Sequence, residues 1–322
     1  MAFAPQNAAR EAKAADARIR PYARETYLEF SSYYSELTGA DVYFKLENLQ
    51  HTGSFKVRGA LNKVLSLSPG DLAQGVVAAS TGNHGAAVAF AAGKAGARAV
   101  VFAPGNASPD KIRMVERLGA EVRTHGDDCV VAEAAARQFA GENGMTYVSP
   151  YNDPVVVGGQ GSIGMELERQ LERTDAVFVS LGGGGLISGI AAYLKSVRPE
   201  VRVVGCSPEN SQVMIQSVKA GEILDLPSLP TLSDGTAGGV EKGSVTFELC
   251  RALVDEYVTV TEEEIADSWR EYTGAHCTMI EGAAAVAVAS FMKLRGRFAG
   301  NSVVVVLCGA NISLSTIKDL LS

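Results

Sequence analysis

Short apolar runs rich in β-branched residues alternate along most of this chain with longer alanine-rich stretches whose apolar positions recur at helical spacing. The pattern predicts strands at Val76–Ser80, Ala99–Ala103, Glu121–Thr124 and Thr146–Val148. Helices are expected between them at Ala86–Lys94, Pro109–Leu118 and Val130–Glu142. The alternation breaks at Ser149-Pro150-Tyr151-Asn152-Asp153-Pro154 and then resumes as helix 158–172, strand 176–181, helix 186–197, strand 201–206 and helix 211–220. Two more strands are expected at 256–260 and 302–308, with helices between and after them. Strands that are apolar on both faces and separated by helices imply a parallel sheet covered on both sides, and hence an α/β fold. The proline-containing break reads as a crossing between two such units with a cleft between them. Ile223–Val240 is the longest irregular stretch and is expected to be a surface or lid loop.

Composition narrows the class. A chain of 322 residues, 47% hydrophobic and 20% charged, has the make-up of a globular enzyme of one large or two ordinary domains. A net charge of -7 argues against a nucleic-acid partner, which needs a basic face. No apolar stretch approaches the roughly 20 residues that span a bilayer, and no secretory leader is expected. Cys129, Cys206, Cys250, Cys277 and Cys308 are scattered without metal-site or disulfide spacing, which fits a reducing cytoplasm.

Five segments carry candidate chemistry. Gly182-Gly183-Gly184-Gly185 follows one expected strand and precedes a helix beginning near Leu186. Such a loop can hold a phosphate on free N–H groups, or it can be a tight turn needing positive φ at several residues. Ser80-Thr81-Gly82-Asn83-His84-Gly85 occupies the same kind of junction. It could grip a carboxylate or simply cap a helix. Lys56, after Gly53-Ser54-Phe55, is either a solvated lysine or an imine-forming amine that packing has partly desolvated. Cys308, at the end of the most apolar strand, is either an inert buried thiol or a group facing a ligand. Glu281 opens a helix, where the dipole alone accounts for a carboxylate.

In order, these motifs together with Gly158-Gly159-Gln160-Gly161-Ser162-Ile163-Gly164 resemble the fold-type II pyridoxal-phosphate enzymes, and among them the threonine/serine dehydratase and serine racemase family. The resemblance runs from about residue 45 to 312. It implies two open, mainly parallel α/β domains of the tryptophan-synthase-β-like kind with the cofactor in the cleft. Residues 1–52 and 150–322 would form the large cofactor-binding domain, and 53–149 the small substrate-carboxylate domain. Lys56 would hold pyridoxal 5′-phosphate as an imine, with Phe55 against the ring and Asn83 on its hydroxyl. Gly182, Gly183, Gly184, Gly185 and Leu186 would bind the phosphate, Cys308 would face the pyridine nitrogen, and Glu281 joins the cofactor set. Ser80, Thr81, Gly82, Asn83 and His84 would surround the substrate carboxylate, with Lys56 and Thr81 catalytic.

The implied reaction is α,β-elimination of water from a β-hydroxy amino acid, giving a 2-oxo acid and ammonia. Threonine or serine is the default substrate, with 3-hydroxyaspartate, phenylserine and hydroxyectoine-derived amino acids left open. An amino-acid racemase of the same fold is the nearest alternative, because Thr81 stands where racemases typically carry serine. A non-catalytic ligand-binding module is the rival from another class. The family's cation-site positions hold Ser207, Ser211 and Val213, with the nearby acid displaced to Glu209, so no divalent metal site is expected. A homodimer or higher homo-oligomer is expected, with no membrane partner.

Overall fold

The computed structural model describes residues 3–80 and 82–322. Among them, ten strands form two sheets. They are β1 (Leu28–Phe30), β2 (Asp41–Lys45), β3 (Val76–Ala79), β4 (Ala99–Ala103) and β5 (Glu121–Thr124), then β6 (Thr146–Tyr147), β7 (Ala176–Ser180), β8 (Arg202–Pro208), β9 (Glu256–Val260) and β10 (Ser302–Val306). One sheet has the order β1-β2-β10-β7-β8-β9, all parallel except β1, which pairs antiparallel with β2 at the edge. The other is wholly parallel, in the order β5-β4-β3-β6. The α/β, mainly parallel architecture expected from the pattern is the one found.

The central strands explain themselves. Ser302-Val303-Val304-Val305-Val306 and Ala176-Val177-Phe178-Val179-Ser180 are buried along their whole lengths, as β-branched residues between two helical layers should be. Their register pairs Val304 with Val177 on one side and with Tyr43 on the other. Four departures from the sequence pattern have local causes. β1 and β2 have no counterpart among the expected strands, because β2 ends on a lysine, Lys45, which the fold buries. β10 stops at Val306, two residues early. Leu307 still donates to the Lys45 carbonyl, but the Cys308 carbonyl turns to accept from the Phe55 N–H. The helix expected at 158–172 runs Pro154–Gln170. Asp153 caps it, accepting from Val155 and Val156 at 2.7 and 3.2 Å, and Pro154 occupies the first turn, where its missing N–H costs nothing. The helix expected to begin at Ser211 begins instead at Val213, because Gln212 rather than Ser211 stands at the cap position.

The helix Pro154–Gln170 carries four glycines that a packed interior would ordinarily disfavour. They let neighbouring helices come close: Gly159 lies where a Cβ would meet the Arg58 carbonyl at 2.6 Å, and Gly161 where it would meet Ala12 at 2.6 Å. The helix Lys56–Leu65 therefore lies almost directly against it.

The same contact is locked by a cluster of charges with no exposed side-chain surface. Arg58 donates to both oxygens of Glu47, each at 2.8 Å, and to both oxygens of Glu166 at 2.7 and 2.8 Å. Lys45 reaches Glu166 at 2.6 Å. Burial opposes the ionised form of Glu166, but Arg58 and Lys45 outweigh it and hold the carboxyl at about 2. No helix of the described residues is long and apolar enough to cross a membrane.

Candidate active site

The first turn of the helix Lys56–Leu65 is fixed by a short loop crossing. Ser54 bridges to Gly309, Phe55 N–H donates to the Cys308 carbonyl at 3.0 Å, and Ala310 N–H donates to the Gly53 carbonyl at 2.9 Å. Thr52 takes a left-handed φ of 61°, which is rare for a β-branched residue, and its hydroxyl is buried without a partner. Lys56 and Cys308 thus come from opposite ends of the chain onto one floor. The Lys56 amine donates to the Pro150 carbonyl at 2.9 Å and lies 5.1 Å from the centroid of Phe55. Lys56 keeps some exposed surface, yet packing around its amine is dense enough that desolvation pulls it down to about 8, against the opposing pull of Cys308 and Glu281. A substantial neutral fraction at physiological pH is what a nucleophilic lysine needs.

Glu281 is where the structure adds most to the local reading of the sequence. It does stand at the cap position of the helix Gly282–Leu294, but its side chain caps nothing. The carboxylate instead turns into the site. It accepts from the Asn83 amide at 2.9 and 3.1 Å, from the Asn311 N–H at 3.2 Å and from the Cys308 thiol at 3.6 Å. Desolvation pushes it up to about 7, with its donors from Asn83 and Asn311 opposing and Asp234 reinforcing the rise. Burial, then the adjacent Glu281, holds the Cys308 thiol well above the usual range and so in its neutral form. Asn311 also donates to the Asn83 side-chain oxygen at 2.6 Å, so the Asn83 amide is clamped in one orientation. Asn311 is a site residue that its place in the Cys308-Gly309-Ala310-Asn311 motif could have flagged, though not its partner.

The tetraglycine opens the helix Gly185–Val197, whose first-turn N–H groups have no acceptor within the helix. Positive φ is needed at Gly184 alone, not at several glycines. The other three are required by neighbours distant in sequence. A Cβ on Gly182 would meet the Thr236 carbonyl at 2.6 Å, on Gly183 the Tyr151 ring at 2.5 Å, and on Gly185 the Tyr151 Cβ at 2.9 Å. Bare backbone between a helix N-terminus and an aromatic wall is a cradle suited to a phosphate, and with the desolvated Lys56 the donor set fits a phosphorylated aldehyde. Leu186 is buried in the first turn of that helix.

The second loop opens the helix Asn83–Ala95. Thr81 lies outside the described residues. The Ser80 hydroxyl accepts from Gly82 N–H at 3.1 Å, and Gly85 packs against the Ser80 carbonyl with no room for a Cβ. His84 follows in the first turn of that helix. It is buried, its Nε2 donates to the Val148 carbonyl at 2.8 Å, and desolvation followed by repulsion from Lys56 lowers it to about 3. It is therefore neutral and offers an anion no charge.

The 223–240 stretch is irregular apart from a short turn at Asp234–Thr236. Lys111 reaches Asp234 at 3.5 Å and Arg137 reaches Glu241 at 3.0 Å, so the stretch and its continuation are tied to helices flanking the four-stranded sheet. Beside it lies a cavity of about 420 Å³ whose lining includes Asp234, Glu281 and Asn311. Among the described residues, no three His, Cys, Asp or Glu side chains converge as a metal site.

Residues 19–309 match the family model described as "Pyridoxal-phosphate dependent enzyme". The chain is 42% identical over 312 residues to the L-threonine ammonia-lyase of Thermotoga maritima, covering 96% of this chain and 77% of that protein. The processed threonine deaminase isoform 2 of Solanum lycopersicum superposes with a TM-score of 0.94 at 31% identity, over 98% of this chain and 86% of that one. Maize serine racemase superposes at 0.91 and 30% identity, over 97% and 96%. A lysine with a desolvated amine, a bare glycine loop at a helix N-terminus and these matches across nearly the whole length together place the chain in the pyridoxal-phosphate-dependent enzyme family.

Proposed function

We propose that this enzyme removes water from a β-hydroxy amino acid of the threonine/serine type, releasing a 2-oxo acid and ammonia. The observation that carries the reading is a lysine amine drawn down to about 8 on a floor made by Phe55 and Cys308. When bound, the cofactor supplies an aldehyde for the substrate's amine and a conjugated ring for the electron pair left at Cα.

Lys56 would hold that aldehyde, and its neutral amine is the base that would take the proton from Cα. Overall the Cα–H and Cβ–O bonds break, that proton and the β-hydroxyl leave as one water, and a second water hydrolyses the released enamine to the 2-oxo acid and ammonia. Gly182, Gly183, Gly184, Gly185 and Leu186 would receive the phosphate on backbone N–H groups. Phe55 would hold the ring from one side, Asn83 would meet its hydroxyl, and Cys308 would serve its nitrogen as a neutral thiol, which cannot supply a full positive charge. Ser80, Thr81, Gly82, Asn83 and the backbone of His84 receive the substrate carboxylate at a helix N-terminus. On this reading 1–52 and 150–322 form the cofactor-holding domain and 53–149 the domain that presents the carboxylate loop. The enzyme works in the cytoplasm. The exposed apolar side chains Tyr27, Phe30, Tyr33 and Leu37 beside edge strand β1 favour a homodimer or higher homo-oligomer.

The test is 2-oxo acid release from a panel containing threonine, serine, 3-hydroxyaspartate, phenylserine and a hydroxyectoine-derived amino acid. Release from threonine or serine is expected to lead. Return of deuterated amino acid of inverted configuration from D₂O, without 2-oxo acid, would establish a racemase instead.

A further inference from the structure

We propose that Glu281 is a positioning residue whose gain or loss of a proton redirects the Asn83 amide and the Cys308 thiol together, and so couples pH to the electronics of the bound cofactor ring. The inference rests on the proposed placement of Asn83 and Cys308 against that ring and goes beyond it by giving both groups a common controller.

The geometry is a competition for donors. A carboxylate has only acceptor sites, and Glu281 spends them on the Asn83 amide, the Asn311 N–H and the Cys308 thiol. A thiol has one proton. While that proton points at Glu281 Oε1, it is withheld from anything else beside the sulfur. The Asn83 side-chain oxygen already accepts from Asn311, and both oxygens of Glu281 draw on its amide nitrogen, so a ligand that accepts from Asn83 must compete with Glu281 for the amide hydrogens. A proton on Glu281 turns one of its oxygens into a donor and reverses this. The thiol loses its acceptor, one Asn83 N–H is released, and both are free to turn to the ring.

The surroundings favour such a change within the working range of the enzyme. Glu281 is 3% exposed, and Gly309 packs so closely that a Cβ there would lie 2.6 Å from its carboxyl carbon. The titratable and charged groups facing it are Lys56 on one helix, Cys308 after β10, and Asp234 on the irregular stretch, the last already paired with Lys111. The N-terminus of its own helix adds a partial positive charge. No full cation bonds it, and a carboxylate desolvated without one is the kind that holds its proton near neutrality.

The experiment is a pH titration of the visible absorbance of the holoenzyme, with the Glu281→Gln variant beside it. The wild type should show a transition with its midpoint near 7. An uncharged Gln can both accept and donate, as the protonated acid does, so E281Q should stay in the low-pH form throughout. Cys308→Ala removes one bond to the ionised form and should move the midpoint upward; it also serves if E281Q does not fold. A midpoint unmoved in whichever variants fold overturns the proposal. Persistence of the visible band in Lys56→Ala would instead bring down the underlying placement of the cofactor.

Discussion

Glu166 and Glu281 are both buried carboxylates within reach of the segment that carries Lys56, and their surroundings are electrically opposite. Glu166 lies between Arg58 and Lys45 and accepts from both at 2.6–2.8 Å. Glu281 has only an amide, a thiol and a backbone N–H. The first is held at about 2 and the second at about 7. Depth is similar, so the partner's charge decides. Full pairing makes a fixed brace, whereas neutral donors leave a group that can still change state, which is what a site needs and a brace must avoid.

The comparison can be broken in four places. The largest effect should come from Lys56→Ala, which removes the reacting amine. Turnover should fall by at least about 10³-fold while the unfolding midpoint in urea stays close to wild type. Glu166→Gln should do the reverse. It leaves Arg58 and Lys45 short of a counter-charge in a closed core and should cost about 3–5 kcal/mol in the same denaturation measurement.

Glu281→Gln is next and should carry the opposite sign at alkaline pH. A folded-state value raised above the unfolded one means the native protein binds the extra proton, so stability is greatest below the unfolded value and falls as pH rises through about 7. The variant should therefore gain on wild type between roughly pH 4.5 and 7, by about 3 kcal/mol at pH 8, with the difference vanishing below pH 4. For Glu166 the depressed value gives stability that is complete above the unfolded value and lost as pH falls toward about 2, so the acid limb of wild-type stability should be blunted in the Glu166 variant. The smallest effect belongs to Arg98→Ala. Its 2.6 Å pair with Glu121 is as short as any in the core, yet both side chains are exposed, and less than about 1 kcal/mol should be lost. A larger loss there would mean that distance rather than burial sets the scale.

The alternation of strands and helices was legible because it depends on local periodicity. β4, β5 and β9 begin and end where the pattern put them. The Gly182–Gly185 loop was legible as a site but not in its reasons, because Tyr151 and Thr236, which exclude side chains there, lie far away in sequence. The Glu166 brace was not legible at all. A lone Lys45, Glu47 or Arg58 in a sequence reads as surface, and only the fold shows that the charges meet. Glu281 was legible through the resemblance but not from its own neighbourhood, for a related reason: a carboxylate at a helix start has a sufficient local explanation, which hid the contact with Asn83 198 positions away.

The helix Lys56–Leu65 has two unlike faces. Toward the helix Pro154–Gln170 it is pinned by directional bonds from Arg58 and Asn62 and by the Lys63–Asp153 pair. Toward the helix Asn83–Ala95 it offers Val57, Ala60, Leu61 and Val64 to valines and alanines, contacts that tolerate small displacements because they have no direction. One face is riveted and the other is greased. Between these two helices nothing directional resists displacement along the second face; what keeps the carboxylate loop in place lies elsewhere, in the bonds from Asn83 to Glu281 and from Asn311 to Asn83.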